Sequence, residues 1–311
     1  MSFPVMKYPK IVFFGTGTVS QATADALFQS FEIEAVITKT DRKISGKLVP
    51  TPMKSWAAEH NIQVYEIDTK SELDTLLQQT TFESQVGIIV DYGVIVSQFA
   101  IDSFPKGIIN SHFSLLPRLR GADPITFSIL NRDNVTGVSV MLINPELDAG
   151  PLLAQDELPL SQSETTPELT AKLIQLSNTM LAKVIPEYLT GHCEAYPQPD
   201  KPVSYTRMLT KADGLLDFNK SAEELEAEIR AFTGWPTSYF FINEERVVAQ
   251  EVSISAESLA PKQIEIIDQS RLLIGTATTA LEFMLLKPAG KKQMDTQSFI
   301  NGRPHLPQQV D

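Results

Sequence analysis

The sequence is poor in the residues that crosslink a chain or bind metals. It has one cysteine, Cys193, which cannot form an intramolecular disulfide, and four histidines. His60, His112, His192 and His305 are scattered and do not show the spacing of zinc ligands. The sequence therefore predicts neither a disulfide framework nor a metal site.

Long apolar stretches are also missing. No run approaches the ~20 residues that a membrane helix needs. The first ten residues contain no apolar core of the kind that secretion signals have. These absences predict a cytoplasmic protein that does not bind a membrane.

Positive charge is scarce as well. The 311 residues include 26 Lys and Arg against 38 Asp and Glu, which gives a formal net charge of −12. This balance excludes a nucleic-acid binder with a wholly basic surface, so any RNA binding must depend on local basic patches. Hydrophobic residues make up 42% of the chain, which is enough for a large buried core and indicates a globular protein.

The first half of the sequence alternates between short apolar runs and amphipathic segments. The apolar runs are rich in β-branched residues and nearly continuous, which is typical of strands buried on both faces of a parallel sheet. They lie at residues 10–15, 34–38, 85–90 and 106–110, with helices expected at 19–31, 53–60 and 71–78. The pattern predicts an open, mostly parallel α/β sheet with helices on both faces.

The rest of the chain predicts a hairpin, a long helix, a linker and a second domain. Two strands at 138–143 and 152–160 flank a polar turn, and a helix fits 167–189. Three prolines between residues 195 and 202 indicate a semi-rigid linker. Several short, closely spaced strands follow, which favour a small OB-like β-barrel. The predicted organisation is a catalytic domain at 1–194, a linker at 195–204 and the barrel domain at 205–311.

Three polar residues are expected near the ends of strands. Asn110 and His112 are two positions apart at the end of the predicted strand, so their side chains point to the same side. The Gly-, Pro- and Arg-rich segment that follows suits a binding loop. Asp148 fits an ordinary turn residue, but it is also placed to orient the imidazole or relay its proton. The combination predicts a catalytic site.

A glycine-rich turn, Gly15-Thr16-Gly17, follows the first strand. A dinucleotide-binding turn has a third glycine and an acidic residue at the end of the second strand, and this sequence has neither. The turn therefore indicates a tight bend near substrate rather than a nucleotide site.

Four motifs surround the predicted catalytic residues. They are Asn110-Ser-His112, Ser114-Leu-Leu-Pro117 with the following Arg-Gly-Ala, Thr136-Gly-Val-Ser-Val140, and Leu147-Asp-Ala-Gly150. Together they resemble the 10-formyltetrahydrofolate-dependent formyltransferases. The resemblance implies a Rossmann-like catalytic domain that transfers a formyl group from 10-formyltetrahydrofolate, a co-substrate, to an amine without a metal. It implies that Asn110 and His112 stabilise the tetrahedral oxyanion, while Asp148 fixes the imidazole and helps to remove the amine proton.

The resemblance also implies binding residues. The expected folate contacts are Tyr92, Gly93, Ser114, Leu115, Leu116 and Pro117. In the C-terminal part, residues 229–236 and 286–294 are similar to the signatures of family members that formylate methionyl initiator tRNA for translation initiation. The expected tRNA contacts are basic: Arg42, Lys43, Lys47, Arg118, Arg120, Lys287, Lys291 and Lys292.

The sequence departs from the usual family pattern around the site. Val19 stands where a bulky residue is common, and Phe113 stands where a small one is common. Asp91 and Asp123 stand where alanine is common, and the segment 39–47 is short. These differences bear on the folate pocket and the tRNA contacts, while the three catalytic candidates are all present.

Two other functions stay open at this point. Formyl transfer to a nucleotide-linked amino sugar would use the same three residues on the same domain, and the negative net charge favours it. An RNA-binding module without activity is the second alternative, and the intact Asn110, His112 and Asp148 argue against it. For the enzyme we expect a monomer that does not bind DNA.

Overall fold

The structure is a computed structural model that describes residues 9–44, 46–303 and 305–311. Residues 1–8, which belong to the segment expected to lack a secretion signal, lie outside this range. Within it, no helix is both long enough and apolar enough to cross a membrane. By its internal contacts the chain divides into two compact units. The first comprises residues up to 121, 135–159 and 170–205, and the second comprises 122–134, 160–169 and 206–311.

Strands and helices are numbered here in chain order. The strands are β1 (Lys10–Phe14), β2 (Glu32–Thr38), β3 (Arg42–Ile44), β4 (Lys47–Val49), β5 (Gln63–Glu66), β6 (Gly87–Ile89), β7 (Ile108–His112), β8 (Arg120–Gly121), β9 (Val135–Leu142), β10 (Leu152–Pro159), β11 (Tyr205–Thr206), β12 (Tyr239–Ile242), β13 (Glu245–Ile254), β14 (Ile264–Ile267), β15 (Arg271–Gly275), β16 (Ala280–Pro288) and β17 (Met294–Asp295). The helices are α1 (Thr18–Phe28), α2 (Pro52–Glu59), α3 (Lys70–Gln79), α4 (Gln98–Asp102), α5 (Pro124–Leu130), α6 (Thr166–Leu189), α7 (Ala222–Ala231) and α8 (Thr296–Asn301), with a 3-10 turn at Lys211–Gly214.

A seven-stranded sheet with the order β10–β9–β7–β6–β1–β2–β5 forms the first unit. Strands β5, β2, β1, β6 and β7 are parallel, and β9 and β10 form an antiparallel hairpin beside β7. In β1, residues 11–14 are completely buried, as expected of a parallel strand covered on both faces. The predicted mostly parallel sheet is confirmed.

The carboxyl ends of the parallel strands bring three segments to one edge of this sheet. The segments are the turn after β1, the residues after β6 and the loop after β7. Strand β7 pairs in parallel with β6 and antiparallel with β9, so the parallel part of the sheet ends there. In open α/β sheets, ligands bind outside the carboxyl ends of the strands.

Segment 39–47 forms part of a β-hairpin, β3–β4, where the sequence predicted a loop. Ser45 lies outside the described residues. Lys54 holds the base of the hairpin, because its Nζ lies 2.9 Å from Oδ1 of Asp41 and 2.8 Å from Oε1 of Glu66. Hydrogen bonds to Glu66 and Asp41 raise the pKa of the Lys54 ammonium. The hairpin therefore starts from a fixed base.

The second unit contains a curled antiparallel sheet with the order β12–β13–β16–β15–β14, and β17 pairs with β16. Its core is mostly aliphatic and includes four aromatic residues, Phe218, Phe240, Phe283 and Phe299. Helix α7 begins with a capping box between Ser221 and Glu224, which satisfies free N–H groups at the helix start. The predicted small C-terminal β domain is confirmed.

The linker predicted at 195–204 lies in the first unit. Tyr196 and Leu152 exchange two backbone hydrogen bonds, of 2.7 and 2.8 Å, at the start of β10. The backbone N–H of Arg120 donates to the carbonyl of Ser204 at 2.9 Å. This segment is therefore held at both ends. The division into domains at 1–194 and 205–311 stays a prediction about parts that fold independently.

Candidate active site

Strand β7 carries Asn110 and His112 at its carboxyl end. Asn110 lies opposite Ile89 of β6 and Met141 of β9. Strand alternation places the Asn110 and His112 side chains on one face. His112 is 6% exposed and Asn110 is half-buried. Because neighbouring strands hold the backbone on both sides, both side chains project from fixed positions.

The imidazole of His112 has a different neighbour at each nitrogen. Its Nε2 lies 2.9 Å from the carbonyl oxygen of Leu119. A carbonyl oxygen only accepts hydrogen bonds, so Nε2 carries a hydrogen and donates it. Its Nδ1 lies 3.7 Å from Oδ2 of Asp148, which is too far for a hydrogen bond. In the neutral ring, Nδ1 is therefore a free base beside a carboxylate.

Asp148 lies in the loop between β9 and β10. Its φ is 48°, in the left-handed region that residues other than glycine rarely adopt. Its Oδ2 accepts a hydrogen bond of 2.7 Å from the N–H of Gly121 in β8. The backbone at Gly150 approaches Leu142 closely, and only glycine fits there, because a Cβ would lie 1.8 Å from the carbonyl oxygen of Leu142. The structure thus brings Asp148 next to His112, and the catalytic roles of these residues stay a prediction.

The predicted folate-binding segment Ser114–Pro117 is held against β9 and β10. Ser139 Oγ donates to the carbonyl of Ser114 at 2.6 Å and accepts from the N–H of Leu116 at 3.1 Å. Gln155 Nε2 donates to the carbonyl of Leu116 at 3.0 Å. Ser114, Leu116 and Pro117 are buried, whereas Leu115 is half-buried. Of these four side chains, Leu115 is the one with surface to offer a ligand.

The other two predicted folate contacts, Tyr92 and Gly93, have opposite environments. The Tyr92 ring is 3% exposed and lies edge-on to Phe14, with ring centroids 5.6 Å apart. Burial raises the pKa of the Tyr92 hydroxyl. Gly93 has a φ of 77°, and a Cβ there would meet nothing within 4 Å. Tyr92 therefore supports the segment from the core, while Gly93 presents backbone to open space.

The turn at Gly15–Gly17 is closed by hydrogen bonds from its own helix. Ser20 Oγ accepts from the N–H of Thr16 at 2.9 Å. A Cβ on Gly17 would lie 2.5 Å from Oδ2 of Asp91, so this carboxylate lies against the start of α1. A dinucleotide phosphate binds at such a helix start, and the carboxylate would repel it. The geometry agrees with a bend rather than a nucleotide site.

Five of the predicted tRNA contacts lie in the first unit. Arg42, Lys43 and Lys47 are exposed on the β3–β4 hairpin, and Arg118 is exposed in the loop after β7. Arg120 is half-buried, and its Nη2 donates to Oε1 of Gln198 at 2.6 Å. The first four side chains are exposed, whereas the Arg120 guanidinium is directed to Gln198.

The remaining predicted tRNA contacts lie in the second unit. Lys287 is exposed on β16, and Lys291 and Lys292 are exposed in the turn before β17. Lys291 also lines a cleft of about 450 Å³ with Glu245 and Arg303. Arg303 pairs with Glu245 at 2.8 Å, and the Lys291 side chain is exposed beside this pair.

Sequence reasoning missed the residues that hold the site from a distance. They are the Leu119 carbonyl, Gln155 and Gln198, and each acts on a residue far along the chain or through its backbone. No local motif signals such contacts. Throughout the part of the chain that the structure describes, no three His, Cys, Asp or Glu side chains gather as metal ligands.

Two family models match the chain. Residues 9–185 match the model described as "Formyl transferase", and residues 208–304 match "Formyl transferase, C-terminal domain". The chain belongs to the formyl transferase family. The resemblance seen in the four motifs is confirmed.

Relatives of this formyl transferase include curated proteins of similar length. The chain is 31% identical to "Methionyl-tRNA formyltransferase" of Herpetosiphon aurantiacus over 304 residues, which covers 96% of this chain and 99% of that protein. It is 32% identical to the protein of the same name from Nitratidesulfovibrio vulgaris over 310 residues, which covers 94% of this chain and 92% of that protein.

Solved structures share the fold at lower identity. The N-formyltransferase of Helicobacter canadensis, in complex with folinic acid and dTDP-3-aminofucose, has a TM-score of 0.67 at 18% identity, covering 88% of this chain and 98% of that chain. HypX of Aquifex aeolicus, in complex with tetrahydrofolic acid, has a TM-score of 0.62 at 12% identity, covering 93% of this chain and 46% of that one.

Proposed function

We propose that this formyl transferase moves the formyl group of 10-formyltetrahydrofolate to the amino group of methionyl initiator tRNA, for translation initiation. Curated relatives of this name match nearly the full length of the chain, which supports the acceptor. The observation that carries the chemistry is the 3.7 Å approach of His112 Nδ1 to Asp148 Oδ2. The enzyme would act as a cytoplasmic monomer and use no metal.

Formyl transfer requires a group that stabilises an oxyanion. The amine nitrogen attacks the formyl carbon, a new C–N bond forms, and the carbonyl electron pair moves to oxygen. The amide N–H of Asn110 donates to this oxyanion from its fixed place on β7. A donor already in position stabilises the developing charge without reorganisation. When the oxyanion collapses, the bond from carbon to N10 of the folate breaks.

His112 and Asp148 transfer the proton that this reaction displaces. Nδ1 of His112 takes the proton from the attacking nitrogen, and the carboxylate of Asp148 stabilises the imidazolium beside it. The imidazolium then gives the proton to N10 of the departing folate. Nε2–H stays bonded to the Leu119 carbonyl throughout, so that carbonyl fixes the ring and Asp148 supplies the compensating charge. This use of Nδ1 replaces the oxyanion contact that the resemblance implied for His112.

The folate would bind along the edge formed after β6 and β7. Gly93 offers backbone in open space there, and Leu115 offers an apolar side chain. The buried Tyr92, Ser114, Leu116 and Pro117 would shape this pocket from behind. The ring system of the folate is flat and partly apolar with polar edges, so it fits a pocket that offers an apolar side chain and exposed backbone groups.

The tRNA would bind through exposed cations in both parts of the chain. Arg42, Lys43, Lys47 and Arg118 would contact phosphates near the catalytic edge. Lys287, Lys291 and Lys292 would do so in the C-terminal domain, which we assign to residues 205–311. Such contacts fix the position of a nucleic acid without reading its sequence. They are few, as a chain with a net charge of −12 requires.

A nucleotide-linked amino sugar is the second candidate acceptor. The fold shared with the Helicobacter canadensis N-formyltransferase and the acidic net charge favour it. The purified protein should be incubated with 10-formyltetrahydrofolate and either charged initiator tRNA or a dTDP-amino sugar. We expect N-formylmethionyl-tRNA to form and the sugar to stay unmodified. Formylation of the sugar alone would support the second candidate, and tRNA binding without turnover would support an inactive RNA-binding module.

A further inference from the structure

The loop that presents Asp148 is exposed at the residue before it. Leu147 is 62% exposed, and Asp148 is held in a left-handed backbone conformation. The carboxylate has its contact with the N–H of Gly121 at 2.7 Å, but one hydrogen bond to a side chain does not fix the backbone that carries it. The position of the carboxylate therefore depends on what holds the main chain of this loop.

Gln198 makes that connection. Its Nε2 donates to the carbonyl oxygens of Asp148 at 2.7 Å and Gly150 at 3.0 Å. Its Oε1 accepts from Nη2 of Arg120 at 2.6 Å. Both amide hydrogens and the amide oxygen are thus used, which is the full set of partners that orients a carboxamide.

These contacts form a closed ring of bonds around the Asp148 loop. Arg120 reaches the loop backbone through Gln198, and the next residue, Gly121, reaches the Asp148 carboxylate directly. Gln198 is itself held, because the Tyr196 and Ser204 backbones are bonded on either side of it. Both the Asp148 carboxylate and its backbone are thus held relative to the same two residues, Arg120 and Gly121.

We propose that Gln198 is a positioning residue for formyl transfer, holding the Asp148 carboxylate next to His112 Nδ1. This inference rests on the proposed function. It also gives Arg120 a role inside the first unit, where it orients Gln198. Because the charge of Asp148 acts on a proton transfer at 3.7 Å, a small displacement of the loop weakens the step without removing any reacting group.

Gln198→Met tests the proposal, since it removes all three polar contacts and keeps the length of the side chain. We expect the single-turnover rate of formyl transfer to fall by about 100-fold, the scale of a misplacement near 1 Å. The KM values for the donor and for tRNA should change by no more than about twofold, because no binding surface is altered. Gln198→Glu should be equally slow, since it keeps the acceptor for Arg120 but loses both donors to the loop. Gln85→Met, at an exposed glutamine of the same unit, is the matched control and should stay at the wild-type rate.

A double-mutant cycle separates positioning from general damage. In an Asp148→Asn background, adding Gln198→Met should lower the rate by no more than about twofold, because the group it positions is already disabled. If Gln198→Met lowers the rate by the full amount, about 100-fold, in the Asp148→Asn background as well, and also lowers the melting temperature, its role is merely structural and the inference is overturned. A wild-type rate for Gln198→Met beside a slow Asp148→Asn would overturn the inference alone. A wild-type rate for Asp148→Asn would overturn the proposed mechanism as well.

Discussion

Replacing Asn110 with alanine should separate catalysis from folding at this site. Asn110 lies in β7 between two paired strands, and its side chain is half-buried. The backbone ladder does not depend on the amide, so the loss of folding stability should be about 1 kcal/mol or less. The loss of one placed oxyanion donor should lower kcat by about 10²–10³-fold, or roughly 3–4 kcal/mol of transition-state stabilisation.

The assay is a rapid-quench measurement of N-formylmethionyl-tRNA with saturating donor. Asn131→Ala, at an exposed helix end, is the matched control and should keep the wild-type rate. Asn110→Asp is the sharper variant, because it keeps the shape and replaces the donor with a negative charge that repels the oxyanion. It should be slower than Asn110→Ala. A kcat within about threefold of wild type for Asn110→Ala, with a normal melting curve, would refute the role of this amide.

Two further results are expected from the charges. The logarithm of the affinity for tRNA should fall linearly, with a shallow slope, as the logarithm of the salt concentration rises, and Arg42→Ala and Lys291→Ala should each reduce this slope by about one unit. Titrations of the wild type and both variants across a salt series check this prediction. Three superimposable lines would reject these two contacts. Folding stability should fall as the pH drops below about 4. Hydrogen bonds from Arg207 and from the Thr210 backbone lower the pKa of Asp213 in the folded protein. A carboxyl group of this kind stabilises the fold at pH values above its pKa in the unfolded chain, and this stabilisation is lost when the carboxylate is protonated. Melting curves between neutral and acidic pH should therefore converge for wild type and Asp213→Asn, and a constant difference between them would contradict this reading.

The sequence predicted the sheet well because its strands are continuous apolar runs. Residues 11–14 are apolar and entirely buried, and the alternation after residue 108 puts Asn110 and His112 on one face. It did not predict the β3–β4 hairpin, whose strands have three residues each and carry exposed cations. Such short, polar strands leave no periodic signal.

The site was predictable in its residues and less so in its contacts. The sequence predicted that Asp148 lies in a turn, but not that its φ is positive. The hydrogen bond from Nε2 to the Leu119 carbonyl could not be inferred, because a backbone acceptor has no residue signature. Gln198 could not be inferred either, since its partners lie 50 and 78 residues away in the chain.

The acceptor is tested most directly by a competition in one mixture. The protein would receive 10-formyltetrahydrofolate labelled in the formyl group, with charged initiator tRNA and a dTDP-amino sugar at equal concentrations. The fraction of label in each product gives the ratio of kcat/KM values. We predict that the label is found on the methionyl group of the tRNA and is lost in Asp148→Asn. Label that accumulates on the sugar, or on neither acceptor, would contradict the proposed function.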